Sequence, residues 1–397
     1  MISPIHQQQL RQLASASGRS VSLFLPTHRQ GPETRQDAIR LKNTIDRARV
    51  LLNDADSAGG GLEKQVASFY ERIDHKDFWD HQGEGLAVFF QENFEQMFRL
   101  PCPVPEQVYV GEEFLLRPLL PQRHVDQPYT VVALTWDDGK LYSAGSETIE
   151  EWKNEQFPFS RPDLVALRES EEQLQYSSHQ KPSGSGGGIN TAMYHGHGEG
   201  EQKLDADRQH YLLHAAERIA AVRKQVEGPL LLVATEELSG HLPQSAHEAF
   251  DAVVPGSPAN STPGELFRRT REAANRCAAE EESTRLDQLG TALANQQGSK
   301  QVEEILPAAF DGRIATLIVH PDQTVLGQYD PTSRTVADVE VTPLAKPGSG
   351  EALVHQGLKG GTRELANLAV RQTLLTDGQL LVSERLGNAP LAAIYRY

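Results

Sequence analysis

The chain has 397 residues, a mass of 43.8 kDa, and 38 Lys and Arg against 54 Asp and Glu, a net charge of −16. That length predicts two or three domains, and 38% hydrophobic with 23% charged residues exclude a disordered chain. The acidic balance argues against a protein held on nucleic acid by bulk charge, and no apolar run approaches the roughly 18 residues of a membrane span. The N-terminus lacks the basic-then-apolar pattern of a secretory signal. Cys102 and Cys277 are too few for a disulfide framework or a four-thiolate zinc site. The expectation is a cytoplasmic protein with neither a membrane nor DNA as partner.

The elements suggest three segments. Residues 1–126 read as a mixed α/β domain. Val21 to Leu25 is a short strand stopped by Pro26, and residues 34–52 form an amphipathic helix with Ala38, Leu41, Ile45, Ala48 and Leu52 on one face. Leu62 to Tyr70 reads as a second helix, Gly85 to Phe90 as a buried strand, and Pro101 to Pro121 as extended chain. Residues 127–270 read as a middle α/β domain. Tyr129 to Leu134 and Leu141 to Ala144 form a hairpin around Asp137-Asp138-Gly139-Lys140. A long glycine-rich loop follows at 177–203, with seven glycines between Gly184 and Gly200. Next come a long helix bearing Leu212, Ala215, Ile219, Val222 and Val226, a stop at Gly228-Pro229, and a buried strand Leu230 to Ala234. Residues 271–397 read as an α/β sandwich. The stretch 263–298 is helix-rich, 302–309 and 362–375 are helices, and 314–319, 380–382 and 392–395 are strands.

Charge is uneven along the chain. The middle segment holds 12 basic against 21 acidic residues, whereas residues 19–49 hold seven basic against three acidic. Arg29, Arg35, Arg40, Lys42, Arg47 and Arg49 are therefore candidate RNA-binding residues, because the arginine fork donates two parallel hydrogen bonds to phosphate. The bland alternative is a solvated helix face. Five histidines fall between 179 and 214: His179, His195, His197, His210 and His214. The spacing of His210 and His214 can chelate zinc, with Glu199 or Asp207 as a carboxylate donor. No glutamate follows His210, so the metalloprotease pattern is absent, and the histidines read as exposed rather than metal-bound. Gly184-Ser185-Gly186-Gly187-Gly188 lacks the Gly-Lys-Ser/Thr ending of a nucleotide loop. No cofactor is expected.

The order of several motifs carries more. His197-Gly198-Glu199-Gly200-Glu201-Gln202 precedes a charged helix and then Gly228-Pro229-Leu230-Leu231-Leu232-Val233-Ala234. Phe250 to Ser257, Val302 to Val319 and Leu391 to Tyr397 follow, after an N-terminal Leu25-Pro26-Thr27-His28-Arg29-x-Gly31-Pro32-Glu33 with Ile39-Arg40-Leu41-Lys42-Asn43. Together these resemble the bacterial branch of the archaeal and eukaryotic class-one release factor and Pelota superfamily. The resemblance implies a middle domain of ribonuclease-H-like topology and a C-terminal domain with the fold of the kink-turn-binding ribosomal proteins. It implies the ribosome as partner, through rRNA and tRNA, and leaves open a translational GTPase. The family loop ends in Gly-Gly-Gln, its glutamine positioning a water for attack on the peptidyl-tRNA ester. Gln202 is the matching catalytic candidate. Glu201 stands in place of the middle glycine and Glu199 in place of an arginine, and both reversals place negative charge beside RNA. The reading is a binding protein for the A site of stalled or idle ribosomes that works without hydrolysis. A peptidyl-tRNA hydrolase acting through Gln202 is the alternative, and a metal-dependent RNA-acting protein away from the ribosome is the second.

Overall fold

The computed structural model describes residues 7–28, 33–54, 60–73, 76–79, 82–100, 103–120, 128–145, 148–164, 197–226, 228–344, 353–356 and 362–397. The chain is a multidomain α/β protein. It divides into two compact units, one of Met1–Pro128 with Ala278–Tyr397 and the other of Tyr129–Cys277.

The chain enters through α1 (Gln7–Ser15), β1 (Ser20–Pro26), α2 (Thr34–Asp54), α3 (Gly60–Arg72) and α4 (Lys76–Trp79). Strands β2 (Gly85–Gln91), β3 (Phe94–Leu100) and β4 (Gln107–Gly111) follow. β1 lies between β2 and β4, antiparallel to both. Its apolar run is continuous because both faces are covered. Val21, Leu23 and Leu25 pack with Leu41, Ile45, Ala48 and Leu52 of α2 and with Leu62, Val66 and Phe69 of α3. Phe24, on the other face, joins a core that includes Phe89, Leu306 and Leu368.

The second unit starts with β5 (Tyr129–Leu134), β6 (Asp138–Ala144), β7 (Ile149–Glu151) and β8 (Phe159–Ser160). After α5 (His197–Arg223) come β9 (Leu230–Ala234), α6 (Glu236–His241), α7 (Gln244–His247), β10 (Ala252–Pro255) and α8 (Pro263–Ala294), whose residues from Ala278 on belong to the first unit. The sheet order is β10-β9-β5-β6-β7, with β8 beside β6. β9 is parallel to β5 and β10 to β9, while β6 and β7 run antiparallel. Tyr211, Leu212, Ala215, Ile219 and Val222 of α5 cover one face, and Leu266, Ala273 and Ala274 of α8 cover the other. The hairpin turn sits two residues before the expected one. The Thr135 hydroxyl accepts from the Asp137 and Asp138 amides and closes the turn. Gly139 falls inside β6, where a Cβ would meet the Phe159 ring at 2.5 Å.

The remaining elements are β11 (Gly298–Ser299), α9 (Val302–Phe310), β12 (Ile314–Val319), β13 (Gln323–Asp330), β14 (Thr335–Pro343) and β15 (Leu353–Gln356). They end with β16 (Arg363–Glu364), α10 (Leu365–Leu375), β17 (Gln379–Val382) and β18 (Leu391–Tyr395). β11, β18, β12 and β17 form one sheet, and β14, β13 and β16 another. β15 instead pairs parallel with β4 and extends the N-terminal sheet. The β13–β14 hairpin and β15 have no counterpart among the expected elements. The helix expected from residue 362 begins at Leu365, because Arg363 and Glu364 pair with β13 and the Glu364 carboxylate caps the helix at the Asn367 amide.

The first and third segments of the sequence thus share one core and one sheet, and a buried polar cluster joins them. The Asn367 side chain accepts from the Leu116 amide at 2.6 Å and donates to the Phe114 carbonyl at 2.9 Å. Arg117 donates to the Gln323 carbonyl at 2.8 Å and the Thr324 hydroxyl at 3.2 Å. Arg363 makes a two-pronged pair with Glu113, 250 positions away. Arg371 donates to the Ala14 and Ala16 carbonyls at 2.6 and 3.0 Å. Burial pushes the Glu364 carboxyl up, opposed by Arg117 and by the amides of Val325, Asn367 and Ala366. Asn367→Ala strands buried amides at Leu116 and Arg117, so we expect a loss of about 3 kcal/mol. Urea unfolding of the two proteins measures it, and an unchanged midpoint would show that the side chain is not a joint.

Candidate functional site

Most of the candidate basic residues lie on α2. Its amphipathic periodicity buries Leu41, Ile45, Ala48 and Leu52 and turns the charged positions outward. Their charge is largely answered within the fold. Arg40 donates to the Asp37 carboxylate at 3.1 Å and to the Pro26 carbonyl at 3.2 Å, and lies 3.5 Å from Glu106. Arg47 donates to the same Glu106 at 2.7 Å. Arg49 is half-exposed, 3.9 Å from Asp46. Lys42 stands over the Tyr70 ring at 5.4 Å. Arg35 is exposed at the second position of the helix, and Arg29 lies outside the described residues.

Behind these arginines is a constellation that the sequence reading missed. Asp37 is fully buried. It accepts from the His28 backbone amide at 2.7 Å and lies 3.0 Å from His28 Nδ1. One carboxylate therefore holds the end of the β1 segment, an imidazole and Arg40 together. Its signal was an Asp three residues before an Arg in the first turn of a helix, a pattern that also describes ordinary surface pairs. The shared Glu106 has no sequence signal, because it comes from the segment before β4. Asp37→Ala would remove the acceptor of the His28 backbone N–H and one of the acceptors of a half-buried guanidinium. A loss of about 3 kcal/mol is expected, whereas Lys42→Ala should leave stability within about 0.5 kcal/mol. Thermal unfolding compares the two, and equal effects would refute the role given to Asp37.

The run from His197 to Gln202 opens α5. The sequence expectation placed these residues, with Lys203, in a loop running from 177; residues 177–196 lie outside the described residues, and the rest are helical. The physical reason is the charge pattern. Glu199 and Glu201 stand in the first turns, where the N-terminal end of the helix dipole favours anions. That preference offsets the two glycines, each of which costs about 1 kcal/mol in a helix interior. The side chains of residues 197–202 lie outside the description. So do His179 and His195.

His210 and His214 stand one turn apart on α5, half-exposed, with Nε2 atoms 3.2 Å from each other and ring centroids 4.4 Å apart. Asp207 is half-exposed on the turn before, and Glu199, the other carboxylate considered, lies well toward the helix start. Among the described residues, no three His, Cys, Asp or Glu side chains converge. Cys277 is half-buried on α8, and Cys102 lies outside the described residues.

An open pocket of about 490 Å³ lies between the end of β10 and the start of α8, lined by Ser257, Asn260, Ser261, Glu265, Arg268 and Arg269. Arg269 is committed to the carbonyls of Pro255, Gly256 and Ser257 and to the Ser261 hydroxyl. Gly256, at φ +118°, admits that guanidinium; a Cβ would come within 2.8 Å of it. Thr262 and Glu265 form a reciprocal cap, the carboxylate accepting from the Thr262 amide at 2.8 Å and the Thr262 hydroxyl accepting from the Glu265 amide at 3.3 Å. Hydrogen bonds from the Thr262 backbone and side chain hold the Glu265 carboxyl below the ordinary range. A depressed folded-state pKa means that the cap contributes above the unfolded pKa and is lost as pH falls through the folded value. An NMR titration of Glu265 should give a midpoint below that of a free glutamate. A midpoint at the free value would mean that the cap does not persist in solution.

Among the described residues no helix is long and apolar enough to cross a membrane. Residues 128–313 match the family model described as bacterial archaeo-eukaryotic release factor family 3. The chain is a release-factor-like protein. Over that segment it is similar to the bacterial archaeo-eukaryotic release factor family. It is similar to an archaeal translation termination factor, aRF1, at 12% identity over 99% of both chains with a TM-score of 0.23. It is similar to archaeal Pelota, solved as a ribosome-bound model with ABCE1, at 10% identity over 100% of this chain and 95% of that one, with a TM-score of 0.38. It is also similar to Dom34 of S. cerevisiae, a termination-like factor interacting with Hbs1, at 10% identity over 79% and 75% of the chains with a TM-score of 0.34. No curated protein matches the chain.

Proposed function

We propose that this protein binds the A site of stalled or idle ribosomes in the cytoplasm and does not hydrolyse peptidyl-tRNA. The observation that carries the second half is the position of Gln202, sixth in α5. Inside an α-helix the N–H of each residue is bonded to the carbonyl four residues back. The Gln202 amide is thereby committed to the helix and is not free to stabilise an oxyanion. Glu199 and Glu201, flanking Gly200, add two negative charges where an RNA-lined centre would meet the helix start.

The family match over residues 128–313 supports the first half of the proposal. The sheet order β10-β9-β5-β6-β7, with β5, β9 and β10 parallel and β6 and β7 antiparallel, supports a ribonuclease-H-like middle domain. The mixed sheet β11-β18-β12-β17, with α9 and α10 packed in the same core, supports a C-terminal domain like the kink-turn-binding ribosomal proteins. In this reading Arg29, Arg35, Arg40, Lys42, Arg47 and Arg49 meet small-subunit rRNA, with Arg40 and Arg47 also bracing Glu106. A translational GTPase is a further partner of this reading.

Sucrose-gradient co-sedimentation with bacterial ribosomes tests it. Co-migration that weakens as salt rises is expected from phosphate contacts, with no peptide released from peptidyl-tRNA. Absence of co-migration with empty, tRNA-loaded and stalled ribosomes would end the ribosomal reading. Peptide release that Gln202→Ala abolishes would replace it with the hydrolase.

A further inference from the structure

We infer that His210 and His214 form a chelating site for a divalent transition-metal ion on α5. The two Nε2 atoms face each other at 3.2 Å. An ion bonded to both at about 2.1 Å would subtend an N–metal–N angle of about 100°, between octahedral and tetrahedral geometry. The rings stand 77° apart in plane with centroids 4.4 Å apart, and a modest turn about the side-chain torsions brings both lone pairs onto one ion. In the metal-free protein one Nε2–H donates to the other nitrogen, and the ion takes the place of that shared proton.

A second observation points the same way. The Glu217 carboxylate lies 3.6 Å from His214 Nδ1, one turn further along the helix. At 3.6 Å the carboxylate is beyond hydrogen-bond reach of Nδ1, and it adds negative charge beside the imidazole, which favours a bound cation. Asp207, three residues before His210, adds negative charge on the same side of α5. The whole segment from 127 to 270 is acidic, with 21 carboxylates against 12 basic residues, which favours a dication. Among the described residues no third side chain completes the set. Imidazole pairs select ions of the zinc, nickel and copper group over magnesium or calcium.

Isothermal titration of the full chain with zinc, and separately with nickel, tests the site. One ion per chain is expected. His210→Gln and His214→Gln should each abolish that isotherm, and Glu217→Gln should weaken it by less than either. Magnesium should give no heat. His210 and His214 are half-exposed on a helix that glutamine also favours, so far-UV circular dichroism of the variants should match the wild type. His195→Gln with His197→Gln should leave the binding intact. Zinc binding that survives His214→Gln, or that is lost with His195 and His197 instead, would overturn the assignment, as would the absence of binding by the wild type at millimolar zinc.

Discussion

The first unit of this protein depends on a small set of polar groups that meet far from water. Asn367 satisfies backbone groups at Phe114 and Leu116, Arg363 clasps Glu113, and Arg117 reaches the carbonyls before and within β13. Each of these groups would be costly to bury alone. Together they hold the segment after β4 against the start of α10, and apolar contact does the rest. Leu115, Leu116 and Leu120 share a core with Leu365, Leu368 and Leu374. β15 then completes the joint by adding a strand of the C-terminal part to the N-terminal sheet. Two stretches separated by about 150 residues of other chain therefore make one compact unit.

That arrangement bears on how the basic residues of α2 are read. A count of arginines gives a strongly positive helix, but charge at a surface is set by what each guanidinium faces. Arg40 and Arg47 converge on Glu106, and Arg40 also answers the buried Asp37. Partly exposed pairs contribute modestly to stability, whereas stripping a fully buried carboxylate of its partners is costly. The same side chains therefore serve as braces for the entry to α2, and their availability to a phosphate is lower than the sequence count implies.

The middle unit makes a complementary point about glycine. Seven glycines in a row of polar residues read as loop, yet the last two lie in the opening turns of α5. Helix formation there follows from acidic residues near the positive end of the dipole and from the long packed face that begins with Tyr211 and Leu212. Burial raises the Tyr211 hydroxyl well above its ordinary range, with Asp138 and Asp137 adding to the effect, and its proton is given to the Thr135 carbonyl at 2.7 Å. The helix is thus pinned to the sheet near its middle.

The sequence by itself determined the elements whose periodicity is local. The apolar faces of α2 and α5 and the buried strands β2, β9 and β12 follow from spacing alone, because side chains three and four apart must share a helix face and a short apolar run must be covered. Motif order was enough to indicate the family. The tertiary structure alone decided which segments share a core, the pairing of β15 with β4, and the β13–β14 hairpin, whose exposed second strand has no strong apolar alternation to reveal it. It also decided the partners of the candidate residues. Asp37 with His28 and Glu106 with two arginines depend on directions of side chains and on approaches between segments apart in sequence. Sequence spacing constrains such approaches only within a turn or two of helix; beyond that, packing of the whole core sets them.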